Sequence, residues 1–210
     1  TSNRFSAMGA GAVVTAIIQS SSVTTVLLVG FVSAGLLTMQ QSIGVIIGAN
    51  IGTTVTAQLI AFKVTEYAML LVAAGFFTQM ALRSQRARDL GLLIMGLGLV
   101  FLGMNIMSEA TNPLRKWEPF LDFMQALRNP ILGALTGALF TALVQSSSAT
   151  TGIVIVFASQ GMIPLQAGIA IILGANVGTC VTAMLATIGK PRTATQVALV
   201  HLIFNTTGVI

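Results

Sequence analysis

Residues 19–25 read QSSSVTT and residues 145–151 read QSSSATT, each inside an apolar run. Six side chains of every septet can form hydrogen bonds: one amide, three serine hydroxyls and two threonine hydroxyls. The apolar arms of the first septet, roughly 8–18 and 26–37, are each about half a bilayer long at about 1.5 Å per helical residue, which sets the septet near mid-depth. Hydroxyls and amides facing lipid would be unsatisfied there. Serine and threonine also compete for backbone hydrogen bonds and favour helix caps over helix interiors. A helix break that lines a cavity resolves both problems. It leaves N–H groups and hydroxyls at a helix N-terminus, a setting that suits an anion. The competing reading is an unbroken helix whose Ser and Thr bond back to its own carbonyls or to a neighbouring helix. Two copies with matching Gln and Thr weigh against it.

A second pair of motifs lies downstream, GANIGTT at 48–54 and GANVGTC at 174–180. Two glycines and an asparagine in an aliphatic run favour local unwinding. Unwound carbonyls with the amides of Asn50 and Asn176 and nearby threonine hydroxyls would make a neutral oxygen cage for a hard cation such as sodium. Close helix packing through small residues accounts for the glycines equally well. It does not account for Asn50 and Asn176, because a buried asparagine must find polar partners.

The elements that carry these motifs belong in a membrane. Of the 210 residues 55% are hydrophobic and 7% charged, against about a quarter charged in soluble domains. Apolar segments fall at 7–37, 42–62, 67–82, 90–107, 131–158, 163–188 and 195–210. Those at 42–62, 67–82, 90–107 and 163–188 are candidate spanning helices, 67–82 being short. The connector 108–130 mixes charges with Leu, Phe, Trp and Met and reads as an interfacial amphipathic segment with Trp117 as anchor. The net charge of +5 sits in short loops, where it speaks for topology and anionic lipid headgroups and not for nucleic acid. A single cysteine, Cys180, allows no intramolecular disulfide.

Shifting the chain by 126 residues lays 11–57 on 137–183 without a gap, and 24 of 47 positions are identical. The whole chain, 1–210, therefore reads as one transmembrane domain built on an internal repeat, as in many secondary transporters. The apolar runs hold no carboxylate, which favours sodium over proton coupling. No Ser–His–Asp set, metal-spaced Cys/His cluster or phosphate loop is present, so an enzyme is not expected. His201, in VHLIFN, is expected to donate to a nearby carbonyl more readily than to line a site.

Paired QSSS-x-TT motifs, each followed by G-A-N-x-G-T, resemble the type II sodium–phosphate cotransporters over essentially the whole chain. The resemblance implies an all-α polytopic protein of the plasma membrane with two inverted-topology repeats. Each repeat would be a re-entrant helical hairpin carrying QSSS, followed by a discontinuous transmembrane helix. It implies that Gln19, Ser20, Ser21, Ser22, Gln145, Ser146, Ser147 and Ser148 surround phosphate. Thr24, Thr25, Asn50, Thr53, Thr150, Thr151, Asn176 and Thr179 are then candidates for sodium. Thr54 is answered by Cys180, so that position need not supply oxygen in both repeats. The expected partners are inorganic phosphate, sodium and the lipid bilayer, with sodium as coupling ion, no other cofactor, and homo-oligomerisation left open. Carriers of another oxyanion or a dicarboxylate, an anion channel and a phosphate-sensing membrane protein are the rival functions. By repeat symmetry a helix resembling 90–107 is expected before residue 1.

If 8–37 is a hairpin, three spans deliver the second hairpin to the opposite side, and an odd count inverts the repeat. Counting Lys and Arg does not decide between inverted and parallel repeats. Cysteines placed in the 83–89 and 189–192 loops are expected to label from one side of the membrane, and one near Trp117 from the other. Labelling of all three from one side would overturn the inverted arrangement.

Overall fold

The computed structural model describes residues 3–61, 65–82 and 84–209. The loop residues Lys63 and Arg83 lie outside them. Ten α-helices follow in order: α1 (Arg4–Ile18), α2 (Ser21–Ser33), α3 (Met39–Ala61), α4 (Ala68–Ala81), α5 (Gln85–Ala110), α6 (Glu118–Ala126), α7 (Pro130–Val144), α8 (Ser147–Ser159), α9 (Leu165–Leu185) and α10 (Arg192–Thr207). No strand occurs among the described residues. Among the described residues three helical stretches are long and apolar enough to cross a membrane, Met39–Ala61, Gln85–Lys116 and Leu165–Leu185. Helix α4, on the short expected segment 67–82, has 14 residues and is not long enough to do so alone.

Both QSSS segments break a helix, and they break it in the same way. Gln19 and Gln145 each adopt φ 60° and ψ 23°, the left-handed region, which costs a residue with a Cβ energy. Each glutamine N–H closes the preceding helix on a threonine carbonyl, Thr15 or Thr141, at 2.7 Å. The following serine, Ser20 or Ser146, is extended and accepts at 3.2 Å from the amide three residues on, Val23 or Ala149, as an N-cap. Across the break the hydroxyls of Thr15 and Thr24 meet at 2.9 Å, and those of Thr141 and Thr150 at 2.7 Å. In a straight helix residues nine apart would be separated by about 13 Å, so the chain turns sharply back.

The symmetry extends to the caps at the outer ends of these helices. Asn3 and Asn129, 126 positions apart, cap the starts of α1 and α7 with their side-chain oxygens. Gly35 (φ 70°) and Gly161 (φ 72°) end α2 and α8 in the left-handed region. The next amide, Leu36 or Met162, reaches back 2.9 Å to the carbonyl of Phe31 or Phe157, the six-residue bond of a Schellman cap.

Helices α3 and α9 are continuous through GANIGTT and GANVGTC. The expected discontinuity of these helices, with its cage of unwound carbonyls, is not found. Their glycines serve close packing instead. A methyl on Gly48 would lie 2.0 Å from the Met8 carbonyl oxygen, and one on Gly52 2.5 Å from that of Ala12. In the second repeat Gly174 meets Ala134 at 1.9 Å and Gly178 meets Ala138 at 2.3 Å. Residue 8 thus faces 48 and 12 faces 52, so α1 and α3 run parallel, as do α7 and α9. The chain must therefore return along α2 or α8, which brings both ends of each broken unit to one side of it. Helices α4 and α5 form an antiparallel pair, in which Gly75 abuts Gly91 and Met95, and Gly98 abuts Val72.

The two repeats interlock crosswise. Helix α2 packs on α9 of the other repeat and α8 on α3, while α10 packs on α9, α2 and α3. Leu28, Val29, Val32, Ile46, Ala194 and Val197 form one apolar cluster there. The amphipathic segment 108–130 contains α6, which meets α7 at 109°. Its Met124 and the adjoining Leu127 pack on Val154, Ile163, Ala167 and Ile171. Part of the apolar face expected at the lipid interface is thus spent on the second repeat, while Trp117 stays exposed.

One pair of positions separates packing from backbone need. A methyl on Gly44 would sit 2.8 Å from Cβ of Ala7, and one on Gly133 would sit 2.8 Å from Cβ of Ala170. Positions 7 and 133, and 44 and 170, are repeat equivalents, so each repeat keeps one methyl and places it on the opposite helix. Gly44→Ala is expected to destabilise by about 1–3 kcal/mol, with partial recovery on adding Ala7→Gly, since the new methyl also lies 2.9 Å from the Arg4 carbonyl oxygen. Gly48→Ala meets backbone and gains nothing from a second substitution at Met8. Thermal unfolding of the four variants in detergent measures the difference.

Candidate functional site

The predicted residues divide by where their hydrogen-bonding groups point. Gln19 and Gln145 form the turns, and each donates its amide to the carbonyl three residues back, Ala16 or Ala142. Gln145 Oε1 also accepts from the Thr182 hydroxyl on α9, which ties the break to the neighbouring helix. Ser20 and Ser146 are spent as N-caps. Thr24 and Thr150 are spent on the hydroxyl pairs with Thr15 and Thr141, which are fully buried at 0% exposure. The predicted sets omit Thr15 and Thr141; their signal is that both positions, 126 residues apart in the matched repeats, hold threonine inside an apolar run.

Thr25, Thr151, Thr53 and Thr179 share another state. Each hydroxyl donates to the carbonyl four residues back: Ser21 and Ser147 at 2.8 Å, Ala49 and Ala175 at 2.9 Å. With the proton committed, such a hydroxyl offers only lone pairs to a ligand. Ser21, Ser22, Ser147 and Ser148 lie in the first turns of α2 and α8. Their amides have no intrahelical acceptor, and their hydroxyls bond no protein partner among the described residues. These groups offer protons.

A cavity of about 90 Å³ is lined by Asn50, Thr53 and Thr54 of α3 and by Ser147, Ser148, Thr151 and Asn176 of α8 and α9, with Ala57 and Ile172. The structure therefore brings two predicted residues of the first repeat to four of the second. A larger cavity, about 380 Å³, is lined by Asn50, Leu173, Asn176, Phe204, Asn205, Thr207 and Gly208. Ser21, Ser22, Thr25 and Thr179 line neither, although α2 packs on α9. No Lys, Arg, Asp or Glu lines either cavity. Asn50 Nδ2 is buried without a hydrogen-bond partner, an unmet donor in the wall that the two cavities share.

The repeats are not chemically equal here. Thr54 donates to the Ile51 carbonyl at 2.7 Å and lines the small cavity. Its counterpart Cys180 is 1% exposed, and its sulfur accepts from Asn205 Nδ2 at 3.2 Å. His201 lines neither cavity, is buried, and its Nδ1 has no partner; the expected bond to a carbonyl is not made among the described residues.

The family model described as Na+/Pi-cotransporter matches residues 1–109 and 118–210. The chain belongs to the Na+/Pi-cotransporter family. It is 35% identical over 198 residues to YqeW of Bacillus subtilis (94% of this chain, 64% of that one). It is 30% identical over 200 residues to YjbB of Escherichia coli, a protein named for inorganic phosphate export (95% of this chain, 37% of that one). It is 33% identical over 134 residues to human sodium-dependent phosphate transport protein 2B (59% of this chain, 19% of that one). The chain thus spans 64% and 37% of the lengths of the two bacterial relatives. No solved structure matches it significantly. Members of this Na+/Pi-cotransporter family are transporters and not enzymes, and family and apolar helices together make the chain an integral membrane protein.

The roles inside one QSSS segment separate experimentally. Ser146→Ala removes an N-cap and is expected to cost about 1 kcal/mol of stability. Ser148→Ala, whose hydroxyl bonds no protein group, is expected to leave unfolding within about 0.5 kcal/mol of the wild type. Equal losses in thermal or denaturant unfolding would contradict this division.

Proposed function

We propose that the chain is the transport core of a sodium-coupled carrier of inorganic phosphate, a multi-pass protein of the plasma membrane. Its two repeats have inverted topology, and each broken helix unit is a re-entrant hairpin. The observation that carries the reading is the small cavity, where Asn50 and Thr53 of one repeat face Ser147, Ser148, Thr151 and Asn176 of the other. A site at the repeat interface is where alternating access leaves a substrate fixed while the two halves rock. The first turn of α8 supplies serine hydroxyls, unpaired amides and the positive end of a helix dipole, all of which favour an anion. The threonines whose protons are committed offer oxygen lone pairs to a cation. Ser21, Ser22 and Thr25 on α2, with Thr179 on α9 against which α2 packs, are the repeat equivalents of these groups. Sodium offsets the phosphate charge in a chamber without ionised side chains.

Relatives are named both for export of inorganic phosphate and for sodium-dependent phosphate transport. Direction is therefore read from the same experiment as coupling. Liposomes holding the full-length protein take up labelled phosphate when an inward sodium gradient is imposed. Sulfate and succinate compete weakly if the chamber selects phosphate. Flux indifferent to sodium would refute the coupling, and a large unitary current would point to a channel.

The division of roles has its own test. Ser147→Ala removes a donor to a charged ligand, a loss of roughly 1.5–3 kcal/mol or about 10- to 150-fold in phosphate affinity. Asn50→Ala weakens sodium first. Because coupling is reciprocal, it also raises the apparent phosphate constant, and excess sodium restores it. Phosphate binding titrated against sodium separates the two. Rescue of the serine variant, and not of the asparagine variant, would reverse the roles.

A further inference from the structure

The larger cavity adds two polar side chains, Asn205 and Thr207, to the asparagines it shares with the smaller one. Asn205, on α10, is 6% exposed and lines it. The Cys180 thiol donates to the Asn176 carbonyl at 3.6 Å, so the sulfur lone pairs face Asn205 and accept from its Nδ2 at 3.2 Å. With its nitrogen held by sulfur, the Asn205 amide has its carbonyl oxygen, Oδ1, left for the cavity. Thr207 lines the same cavity, and its hydroxyl donates to the Ile203 carbonyl, so it too offers only lone pairs. Asn176 and Asn50 complete the polar wall and face both cavities. An asparagine amide carries an oxygen at one corner and two N–H donors at the other. Such a wall can present oxygen to a cation on one side and N–H to an anion on the other.

We infer that the larger cavity is a site for a monovalent hard cation, held by Asn205 Oδ1 with Thr207 and the two shared asparagines, and that Cys180 is the positioning residue that orients Asn205. The inference deepens the sodium-coupled reading and rests on it. Neutral oxygens suit such an ion, and no carboxylate is present to recruit a divalent one. The sulfur fixes the amide without competing for the cation, since a thiol is a poor ligand for a hard ion.

The test uses the full-length protein in lipid nanodiscs with labelled sodium alone as probe, followed by phosphate binding at saturating sodium. Asn205→Ala is expected to raise the half-saturating sodium concentration about tenfold and to leave the phosphate constant at saturating sodium unchanged. Asn205→Asp keeps an oxygen ligand and should retain sodium binding. Cys180→Ala frees the amide to turn and should weaken sodium several-fold. Cys180→Ser, whose hydroxyl can donate to the same carbonyl and accept from the same amide, should behave as wild type. Wild-type sodium affinity in Asn205→Ala would overturn the site, as would equal loss in the Asp and Ala variants. If Asn205→Ala does not fold, equal sodium affinity of the two Cys180 variants overturns it. A wild type that binds phosphate but no sodium would instead refute the coupled reading itself.

Discussion

A backbone polar group in hydrocarbon has no water to turn to, so each must be satisfied within the protein. Every helix break in this chain is built around that requirement. At Gln19 and Gln145 the ends of two helices meet at once, which would orphan carbonyls on one side and amides on the other. The glutamine N–H takes a carbonyl of the first helix, and the serine side chain takes an amide of the second. The buried threonine hydroxyl pairs then hold the two arms together. What remains unsatisfied is one short row of amides and serine hydroxyls at the start of the second arm. The same device that permits the turn thus leaves donors at the place where an anion can use them.

The second constraint is closeness. The parallel pairs α1/α3 and α7/α9 run with their backbones nearly touching, and the glycines of GANIGTT and GANVGTC provide that approach. Keeping α3 and α9 as unbroken helices has a chemical consequence. Their carbonyls stay within the helix ladder, so any cation ligand on these helices must come from side chains. Asn50, Thr53 and Asn176 are accordingly the groups found at the cavity walls.

The repeats share a frame but not a chemistry. Their turn angles agree within two degrees, at φ 60° for both glutamines and at φ −147° and −145° for the capping serines. Yet Thr54 faces the small cavity while Cys180 is buried behind the larger one, holding Asn205. An internal duplication fixes backbone geometry through caps and glycines, and leaves single positions free to diverge where the two halves meet different neighbours.

The all-helical membrane class, the internal repeat at a 126-residue offset and the break at QSSS were legible from sequence, because each follows from a local rule: apolar length, identity at fixed spacing, and the cost of hydroxyls in lipid. The glycines of GANxGT were not, since a missing side chain serves unwinding and close packing alike, and only the neighbouring backbone distinguishes them. Nor did local rules reveal that Gln145 bonds Thr182, that Thr141 meets Thr150, or that Asn50 faces Ser147 from a hundred residues away in the chain. Those pairings depend on which helices lie side by side. The amino-acid order supplied the donors and acceptors, and tertiary packing decided which of them would be consumed by the fold and which would be left for a ligand.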